Sequence, residues 1–469
     1  MNNRGLTNVE NSSGLILGVG TLDSSATALP RGTEALYSRS TGGQSTLSRQ
    51  AFSEILEGMA LEDFVRQYWM KSFRHIEGRK GRFSHLLTWF DLNKIVCTVN
   101  PEPPRLQLLH EGKILSSQTY VDVGMAPDDP RSSFRRLNAT RLSSYVREGA
   151  TLVLNAIDDY HEPVTNLACD LEGFFGAQVG VNMYASWRTA PGLEPHFDSH
   201  EVFVLQVAGK KYWKVYDRDP QFCVIPHRTK DGNPPTQLLW EGIVRDGDIL
   251  YVPRGYWHVA TPVDEPTIHL AVGVYPLTIA DFLEWSFKRL RSNANSTISL
   301  SQFENASHAE QRIRAVIMEQ LNLDTLGEFF LQAHANSRLR PTASLPRSAQ
   351  ARFSLDDARL RWSGSRTVNM GFSEELGAII VGCDGKLWHF ALPAGPVLDV
   401  LVTRTPCTVQ QLCSTEAGSG LDHATVERFL QDLVINGLIS IESCSDLDQL
   451  GNWFGDSSPR GRRPDEVAG

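Results

Sequence analysis

Short strand-like segments follow one another from Gln178 to Val274, and they constrain the fold of this chain most. Gly, Pro and Asp residues separate these segments. This spacing is typical of an antiparallel sandwich or barrel. A chain of 469 residues is too long for one such core, so we expect two or three domains.

The segments on either side of this block predict an α+β protein. Apolar residues recur at helical spacing in residues 48–73 and again in residues 277–340. Between them, GATLVLNAI is typical of a buried strand, and residues 131–147 are predicted to be a helix. Strand-like segments, three helices and a last strand suggest a winged-helix module near the C-terminus.

Stretches rich in Ser, Gly and Pro separate the predicted domains. The expected parts are a disordered leader (1–46), a barrel domain (47–276), a helical segment (277–345), a winged-helix-like domain (346–451) and a disordered tail (452–469). The leader contains a short apolar island, LILGVG, so a docked strand is the alternative there.

Charge and cysteine content disfavour several classes of protein. The formal net charge of -9 argues against a surface that wraps nucleic acid. The seven cysteines have irregular spacing and no CxxC pair, which favours reduced thiols and a cytoplasmic location. No apolar run approaches the roughly 18 to 20 residues of a membrane span, and we see no secretory signal.

A histidine and a carboxylate lie two residues apart within the strand-rich block. In an extended segment His196 and Asp198 share one face, so both can point into one cavity while Phe197 packs behind them. His258 comes later, after a predicted PRG turn. Two imidazoles and one carboxylate are the donor set of a non-haem Fe(II) centre, although a zinc hydrolase can use the same donors.

Lys211 favours the iron centre over the zinc site. It follows a predicted turn at Gly209, on a strand expected to return beside the metal-bearing segment. A lysine inside the barrel is unfavourable unless it meets an anion, and the distal carboxylate of 2-oxoglutarate is such an anion. The pattern leaves open whether Lys210 or Lys211 points inward, and both lysines can instead solubilise a hairpin edge.

Together these motifs resemble one known family. HFDSHEVFVLQVAGKKYWKVY and DGDILYVPRGYWHVATP resemble the JmjC-domain ribosomal oxygenases of the cupin superfamily, which are Fe(II)- and 2-oxoglutarate-dependent protein hydroxylases. The resemblance extends more weakly from LEDFVRQYWMKSF to about residue 443. It implies a double-stranded β-helix (cupin/JmjC jelly roll) as the catalytic domain, with N-terminal helices, a helical dimerisation segment and a C-terminal winged-helix-like domain.

The resemblance also implies roles for particular residues. It makes His196, Asp198 and His258 the metal ligands and Lys211 the partner of the 2-oxoglutarate carboxylate. The residues implied to form the substrate pocket are Asn182, Tyr184, Ser199, His200 and Gly273.

Two departures from the family pattern border the substrate side of this pocket. Ser199 and His200 stand where the family often has a second acidic residue, and Gly273 stands where it often has Ser. The identity of the substrate is therefore not inherited from the family. We expect two other residues to have structural roles. His269 is predicted to be a hydrogen-bonded histidine of the core, and Trp213 is predicted to pack in the core.

The expected function is hydroxylation of an amino-acid side chain in a protein or peptide. A ribosomal protein and a peptide natural-product precursor are the two candidate substrates. The alternatives are N-methyl demethylation by the same chemistry, a non-catalytic cupin-like binding or scaffold protein, and a DNA-binding regulator. The winged-helix segment carries little positive charge, so nucleic acid is not an expected partner. The helices at 277–340 suggest a homodimer or packing against the barrel, and no membrane partner is expected.

Overall fold

Two antiparallel sheets face each other in the middle of the chain. The structure, a computed structural model, describes residues 7, 9, 11–21, 44–126, 129–188, 192–219, 234–291, 299–321, 323–335, 344, 353–356, 358–363, 368–373, 376–383, 385–414 and 420–443. The strands are β1 (Ile16–Thr21), β2 (Arg74–Ile76), β3 (Leu106–His110), β4 (Lys113–Ile114), β5 (Val121–Ala126), β6 (Asp129–Leu137), β7 (Thr151–Leu154), β8 (Gln178–Ser186), β9 (Glu201–Ala208), β10 (Lys210–Arg218), β11 (Leu238–Arg245), β12 (Ile249–Val252), β13 (Tyr256–Pro262), β14 (Thr267–Tyr275), β15 (Arg359–Trp362), β16 (Asn369–Ser373), β17 (Ala378–Cys383), β18 (Lys386–Ala391) and β19 (Ile439–Ser443).

Helices flank the sheets, and six of the helices in the described part of the chain lie after residue 276. The helices are α1 (Gln44–Ile55), α2 (Leu61–Gln67), α3 (Trp89–Lys94), α4 (Ala139–Glu148), α5 (Glu162–Phe175), α6 (Ile279–Leu290), α7 (Ala306–Gln320), α8 (Leu323–Ala335), α9 (Gly395–Leu401), α10 (Val409–Ser414) and α11 (His423–Ile435). Among the described residues, no helix combines the length and the apolar character that a membrane crossing needs.

The larger central sheet packs against helices on one face and against the smaller sheet on the other. Its eight strands are ordered β2-β12-β9-β14-β8-β7-β3-β4, and the smaller sheet is ordered β11-β10-β13. Along β9, Phe203 and Leu205 enter the core formed with helices α1, α2 and α5. Val202 and Val204 point the other way, toward a smaller core shared with β10. The strict alternation of the strand thus buries both of its faces.

The N-terminal helices close the outer face of the large sheet through aromatic side chains. Phe52 of α1 lies 5.7 Å from Phe64 of α2 and 5.5 Å from Phe203 of β9, measured between ring centroids. Both contacts are edge-to-face, an arrangement favoured by the ring quadrupoles. The helical spacing of apolar residues in 48–73 therefore predicted these two helices correctly.

The turn between β9 and β10 depends on a glycine. Gly209 has φ +66°, and a Cβ atom there would collide with the carbonyl oxygen of Pro266. Only glycine meets both requirements at low energy. The turn fixes which residues of β10 face the large sheet, and Lys211 is one of the buried ones.

The C-terminal part has its own core and its own sheets. A four-stranded sheet is ordered β1-β18-β17-β16, and β15 pairs with β19. Helices α9, α10 and α11 supply most of the remaining side chains of this second core. The strands and helices that the sequence predicted after residue 375 are all present.

The prediction of a disordered leader is wrong for the part of the leader that the structure describes. Strand β1 pairs antiparallel with β18, and Leu15, Ile16 and Val19 are buried in the C-terminal core. The LILGVG island is therefore a docked strand, because its apolar side chains complete a core formed far away in the chain. Residues 22–43 of the leader and the predicted disordered tail, 452–469, lie outside the described residues.

The prediction of a helix over residues 131–147 is correct only for its second half. Residues 129–137 form β6, which pairs with β5 so that Leu137 lies opposite Val121. Helix α4 begins after Asn138, whose side chain accepts a hydrogen bond from the backbone N–H of Arg141 at 3.0 Å. Pairing with a neighbouring strand outweighs local propensity in this segment.

One buried carboxylate attaches the N-terminal segment to helix α11. Asp432 accepts hydrogen bonds from the backbone N–H and hydroxyl of Ser12, at 2.9 and 2.8 Å, and from the backbone N–H of Ser13 at 2.9 Å. We expect Asp432→Ala to lower the free energy of unfolding by about 2 to 4 kcal/mol, because it removes three hydrogen bonds to a buried carboxylate. Urea denaturation measures this loss.

A control and a truncation make this prediction specific. Asp399→Ala removes an exposed carboxylate from neighbouring helix α9 and should leave the midpoint unchanged. In a chain lacking residues 1–21, Asp432→Ala should cost roughly 0.5 kcal/mol or less, since its partners are gone. An undiminished loss in the truncated chain would show that Asp432 does not act through Ser12 and Ser13.

Candidate metal centre

His196 and His258 are joined through their main chains. The N–H of each residue donates to the carbonyl oxygen of the other, at 3.1 and 2.8 Å, so the two form an isolated antiparallel bridge. Their ring centroids lie 4.5 Å apart. Asp198 completes the group, with Oδ2 3.5 Å from Nε2 of His258. One ligand atom from each of the three residues lies within 4.8 Å of the other two.

The two imidazoles are oriented by carbonyl oxygens outside the group. Nδ1 of His196 lies 2.8 Å from the carbonyl oxygen of Glu194, and Nδ1 of His258 lies 3.0 Å from that of Tyr256. A carbonyl oxygen only accepts, so each Nδ1 carries the proton and each Nε2 keeps its lone pair. Outer hydrogen bonds of this kind are typical of histidines that bind metals.

The protonation states of the group also suit a metal. Burial, together with the nearby His196, lowers the pKa of His258 to about 4, so its imidazole is neutral. Burial opposes ionisation of Asp198, but attraction to His258 and the other histidines outweighs it and lowers the pKa of this carboxyl group. Neutral imidazoles and an ionised carboxylate are the forms that coordinate a cation.

Two elements hold these side chains in place. Phe197 points away from the group and packs edge-to-face on Trp257 at 5.2 Å, as the alternation of the sequence predicted. In the PRG turn Gly255 has φ +83°, and its N–H donates to the carbonyl oxygen of Asp198 at 2.9 Å. The turn that precedes His258 is therefore bonded directly to the HxD segment.

Arg254 of the same turn is paired with a buried acid. Its Nε lies 3.4 Å from Oε1 of Glu201, which is fully buried and also accepts a hydrogen bond from the hydroxyl of Tyr251. Burial raises the pKa of Glu201. These contacts give Arg254 a structural role in the turn.

Lys211 is the lysine that points inward. Its Nζ donates to the hydroxyl of Ser186 at 3.1 Å, and Ser186 is in turn 2.9 Å from the hydroxyl of Thr151. Burial lowers the pKa of Lys211 to about 7. Lys210 points outward and pairs with Glu265 at 3.3 Å.

One cavity connects Lys211 with the metal-ligand group. The residues that line it are Thr151, Gly180, Asn182, Tyr184, Gly192, Leu193, His196, Asp198, His200, Val202, Val204, Lys211, Trp213, His258, Ala260, His269, Ala271, Gly273 and Tyr275. Four of the five predicted substrate-pocket residues are among them: Asn182, Tyr184, His200 and Gly273.

Ser199 does not line this cavity, so its assignment to the pocket is wrong. His196, Asp198, His200 and Val202 all line the cavity, and Ser199 lies on the opposite parity of the same extended segment. Its neighbour His200 has its pKa lowered by burial, although Asp198 acts in the other direction.

Asn182 and Tyr184 line the cavity and also contact other residues of the protein. Oδ1 of Asn182 accepts from the backbone N–H of Ala156 at 3.0 Å. The ring of Tyr184 stacks on His269 at 4.9 Å with only 8° between the planes. Both side chains therefore have a structural partner as well as a place on the cavity wall.

Several lining residues were missed or interpreted as core. His269 faces the cavity, and within the described part of the chain its Nδ1 has no hydrogen-bond partner, contrary to the expected hydrogen-bonded core histidine. Trp213 also lines the cavity. Thr151 of β7 also lines the cavity, and Ser186 of β8 accepts the hydrogen bond from Lys211; both lie outside the HxD motif. Only the inward parity of β8 and β14 could have indicated Ser186 and His269.

Residues 160–282 match the family model described as JmjC domain. This segment contains the three candidate ligands and Lys211. This segment of the chain is therefore similar to a JmjC domain.

Two curated relatives of this chain have names that describe an enzyme activity. It is 28% identical over 238 residues to the bifunctional lysine-specific demethylase and histidyl-hydroxylase NO66 of Drosophila pseudoobscura pseudoobscura. It is also 28% identical over 241 residues to ribosomal oxygenase 1 of Gallus gallus. The two alignments cover 49% and 50% of this chain but 23% and 38% of the relatives. The chain thus spans well under half the length of these relatives.

Solved structures share the fold over most of the chain. A structure of Escherichia coli YcfD has a TM-score of 0.56 at 18% identity, covering 82% of this chain and 98% of that one. YcfD, a ribosomal oxygenase, in complex with cobalt and 2-oxoglutarate has a TM-score of 0.54 at 17% identity, with 82% and 99% coverage. The fold is of the JmjC/cupin type, with mixed helices and sheets, as the sequence predicted. The chain is similar in sequence to a ribosomal oxygenase.

Burial of Lys211 makes the stability of the protein depend on pH. Its pKa is about 7 in the folded protein and 10.5 ordinarily, so between these values the unfolded chain holds more protons. The free energy of unfolding should therefore rise with pH in this window, by up to roughly 1.4 kcal/mol per pH unit. Lys211→Met should lack this increment, and urea denaturation between pH 7 and pH 9 measures the difference.

The neighbouring lysine provides the control. Lys210→Met removes an exposed charge and should retain the pH dependence of the wild type. Stability curves for Lys211→Met that run parallel to the wild-type curves would contradict the prediction.

Proposed function

We propose that this protein is an Fe(II)- and 2-oxoglutarate-dependent dioxygenase that hydroxylates a side chain of a protein or peptide. The observation that carries the proposal is a single cavity that has the His196–Asp198–His258 group at one place and the buried Lys211 at another. Either feature alone fits other functions. The combination fits a metal together with an anionic co-substrate.

His196, Asp198 and His258 are the proposed ligands of Fe(II). Both Nε2 atoms are free to coordinate, and the ionised carboxylate completes a donor set that leaves positions open for a second ligand. A zinc hydrolase has the same donors but no need for a buried cation in its pocket. Lys211 therefore supports the iron centre.

Lys211 is the proposed partner of the far carboxylate of 2-oxoglutarate. A buried cation without an anion is unfavourable, and a carboxylate bound at Nζ would offset that energy. The hydroxyls of Ser186 and Thr151 lie in the same hydrogen-bonded chain and offer further donors. A related protein, YcfD, has a structure in complex with cobalt and 2-oxoglutarate, which agrees with this assignment.

When bound, iron and 2-oxoglutarate supply the oxidising chemistry, with oxygen as oxidant and succinate and carbon dioxide as by-products. The chain supplies position and exclusion of water. His196 and His258 are held by the carbonyl oxygens behind them, and Lys211 fixes the distance to the co-substrate tail. Val202 and Val204, with Ala260 and Ala271, give the cavity apolar walls.

A protein substrate is proposed from the names of the relatives. A ribosomal protein is the leading candidate, because the relatives of this chain include ribosomal oxygenase 1 and a histidyl-hydroxylase. A peptide natural-product precursor remains the second candidate. Demethylation of an N-methyl group is the alternative reaction, since one relative is also named a lysine-specific demethylase. Release of formaldehyde identifies demethylation, whereas a stable product heavier by one oxygen atom identifies hydroxylation.

The remaining sequence predictions complete the proposal. The domains at 47–276, 277–345 and 346–451 would be catalytic, dimerising and winged-helix-like, and two separate apolar cores support at least the first and last. Helices α10 and α11 carry a single basic residue, Arg428, which disfavours a nucleic-acid partner. A cytoplasmic location agrees with the five described cysteines, which form no disulfide bond with one another: Cys97, Cys169, Cys383, Cys407 and Cys413.

Anaerobic titration tests the cofactor assignment. Addition of Fe(II) and 2-oxoglutarate should produce a visible charge-transfer band, and Asp198→Ala should weaken metal binding by at least about 100-fold, since it removes a ligand. Lys211→Met should weaken 2-oxoglutarate binding roughly 100-fold with the metal retained, because it removes a buried charge pair.

Two controls accompany this titration. Lys210→Met should behave as the wild type, because its charge lies outside the cavity. Incubation of the wild type with a cell lysate should yield peptides heavier by one oxygen atom that are absent with Asp198→Ala. If the wild-type protein develops no charge-transfer band, the proposed enzyme activity is contradicted, and the hypothesis of a non-catalytic scaffold protein remains.

A homodimer is proposed through the helical segment. Ile279 and Phe287 of α6 and Met318 of α7 are 80%, 53% and 66% exposed, and we propose that these apolar side chains form the interface. Light scattering should give twice the chain mass, and Phe287→Glu combined with Met318→Glu should give the monomer mass, because the added charges would be buried in the interface. Phe90→Glu, at an exposed apolar residue elsewhere, is the matched control. A monomeric wild type would contradict the dimer.

A further inference from the structure

The cavity has a closed end and an open end. At the closed end Lys211 is 3% exposed, and His269 lies opposite Tyr184 in the pairing of β14 with β8. At the open end Tyr275, the last residue of β14, is 45% exposed. Lys211 and Tyr275 thus mark the direction along which a macromolecular substrate would enter.

The wall near the open end lacks side chains on two adjacent strands. Gly273 of β14 lies directly opposite Gly180 of β8, and both residues line the cavity. On its other side Gly273 lies opposite Val202 of β9. The backbone of β14 is therefore bare at this level, where the related family often has a serine.

His200 occupies the space that Gly273 leaves. A Cβ atom built on Gly273 would lie 2.7 Å from Cδ2 and 2.9 Å from Nε2 of the His200 ring. Any larger residue at position 273 would therefore force this ring to move. The two departures from the family pattern, Gly273 and His200, therefore depend on each other. The side chain that is missing at Gly273 of β14 is replaced by the ring of His200, which precedes β9.

The His200 ring is held by stacking. Its centroid lies 4.4 Å from that of Tyr275, with 26° between the planes. Among the described residues, no hydrogen bond to either ring nitrogen of His200 is found, so these atoms remain available to a ligand. We call the His200 and Tyr275 rings the shelf.

We propose that His200 is a specificity-determining residue, which contacts the substrate side chain as that side chain passes the shelf toward Asp198. The inference rests on the proposed function and adds the group that selects the substrate. Ring faces attract flat groups, such as an aromatic ring, an amide or a guanidinium, and the ring nitrogens can hydrogen-bond to them. Branched apolar side chains gain neither contact.

The test uses pools of short synthetic peptides, one pool for each amino acid fixed at the central position. Wild type, His200→Ala, Gly273→Ser and the double variant are compared by mass spectrometry for the addition of one oxygen atom. KM and kcat are then determined for the preferred pool. Thermal unfolding of each protein shows that the variants are folded.

We expect the wild type to prefer pools with a flat central residue. His200→Ala should lower kcat/KM for these pools by about tenfold, mainly through KM, because a substrate contact is lost. Gly273→Ser should produce a similar loss, because it displaces the same ring. The double variant should lose no more than either single variant, within about twofold, since both changes act on one shelf.

Ser199→Ala is the matched control, because Ser199 adjoins His200 but does not line the cavity. It should keep the wild-type order of pools. The inference is overturned if the single losses multiply in the double variant, if the order of pools is the same in all proteins, or if no pool is modified. Failure of the proposed function is distinct, since it appears as absence of the charge-transfer band before any peptide is added.

Discussion

The main-chain bridge between His196 and His258 is the interaction on which the site depends. It joins the HxD segment to the strand that follows the PRG turn, and it brings two imidazoles together without using either side chain. The side chains therefore remain free for a ligand. The carbonyl oxygens behind them select the tautomer, and the bond from Gly255 to Asp198 places the carboxylate relative to the same turn. Backbone geometry thus determines most of the proposed coordination.

The sequence predicted those residues of the pocket that alternate along one extended segment. His196 and Asp198 are two residues apart, so their shared direction required only an extended backbone. The same rule, applied one residue further, excludes Ser199 and includes His200. The sequence did not predict which of Lys210 and Lys211 points inward, because this depends on the geometry of the turn at Gly209 and on its approach to Pro266.

Contacts between distant segments account for what the sequence did not reveal. Ser186 accepts a hydrogen bond from Lys211, and Thr151 bonds to Ser186, both from strands of the opposite sheet, and no local pattern marks them. Segment 131–137 has no strong strand preference and becomes β6 because β5 is beside it. By contrast, the helices and strands after residue 375 have clear apolar periods, and their order was predicted correctly.

The docked strand β1 has a consequence for synthesis of the chain on the ribosome. Strand β1 is made long before its neighbour β18 and the carboxylate of Asp432, which lie more than 300 residues later in the chain. At typical elongation rates the apolar strand waits roughly half a minute for its partner. During that interval its backbone edge and its buried face, Leu15, Ile16 and Val19, are exposed to other nascent chains and to chaperones. The second core thus includes a strand that is made long before the other elements with which it packs.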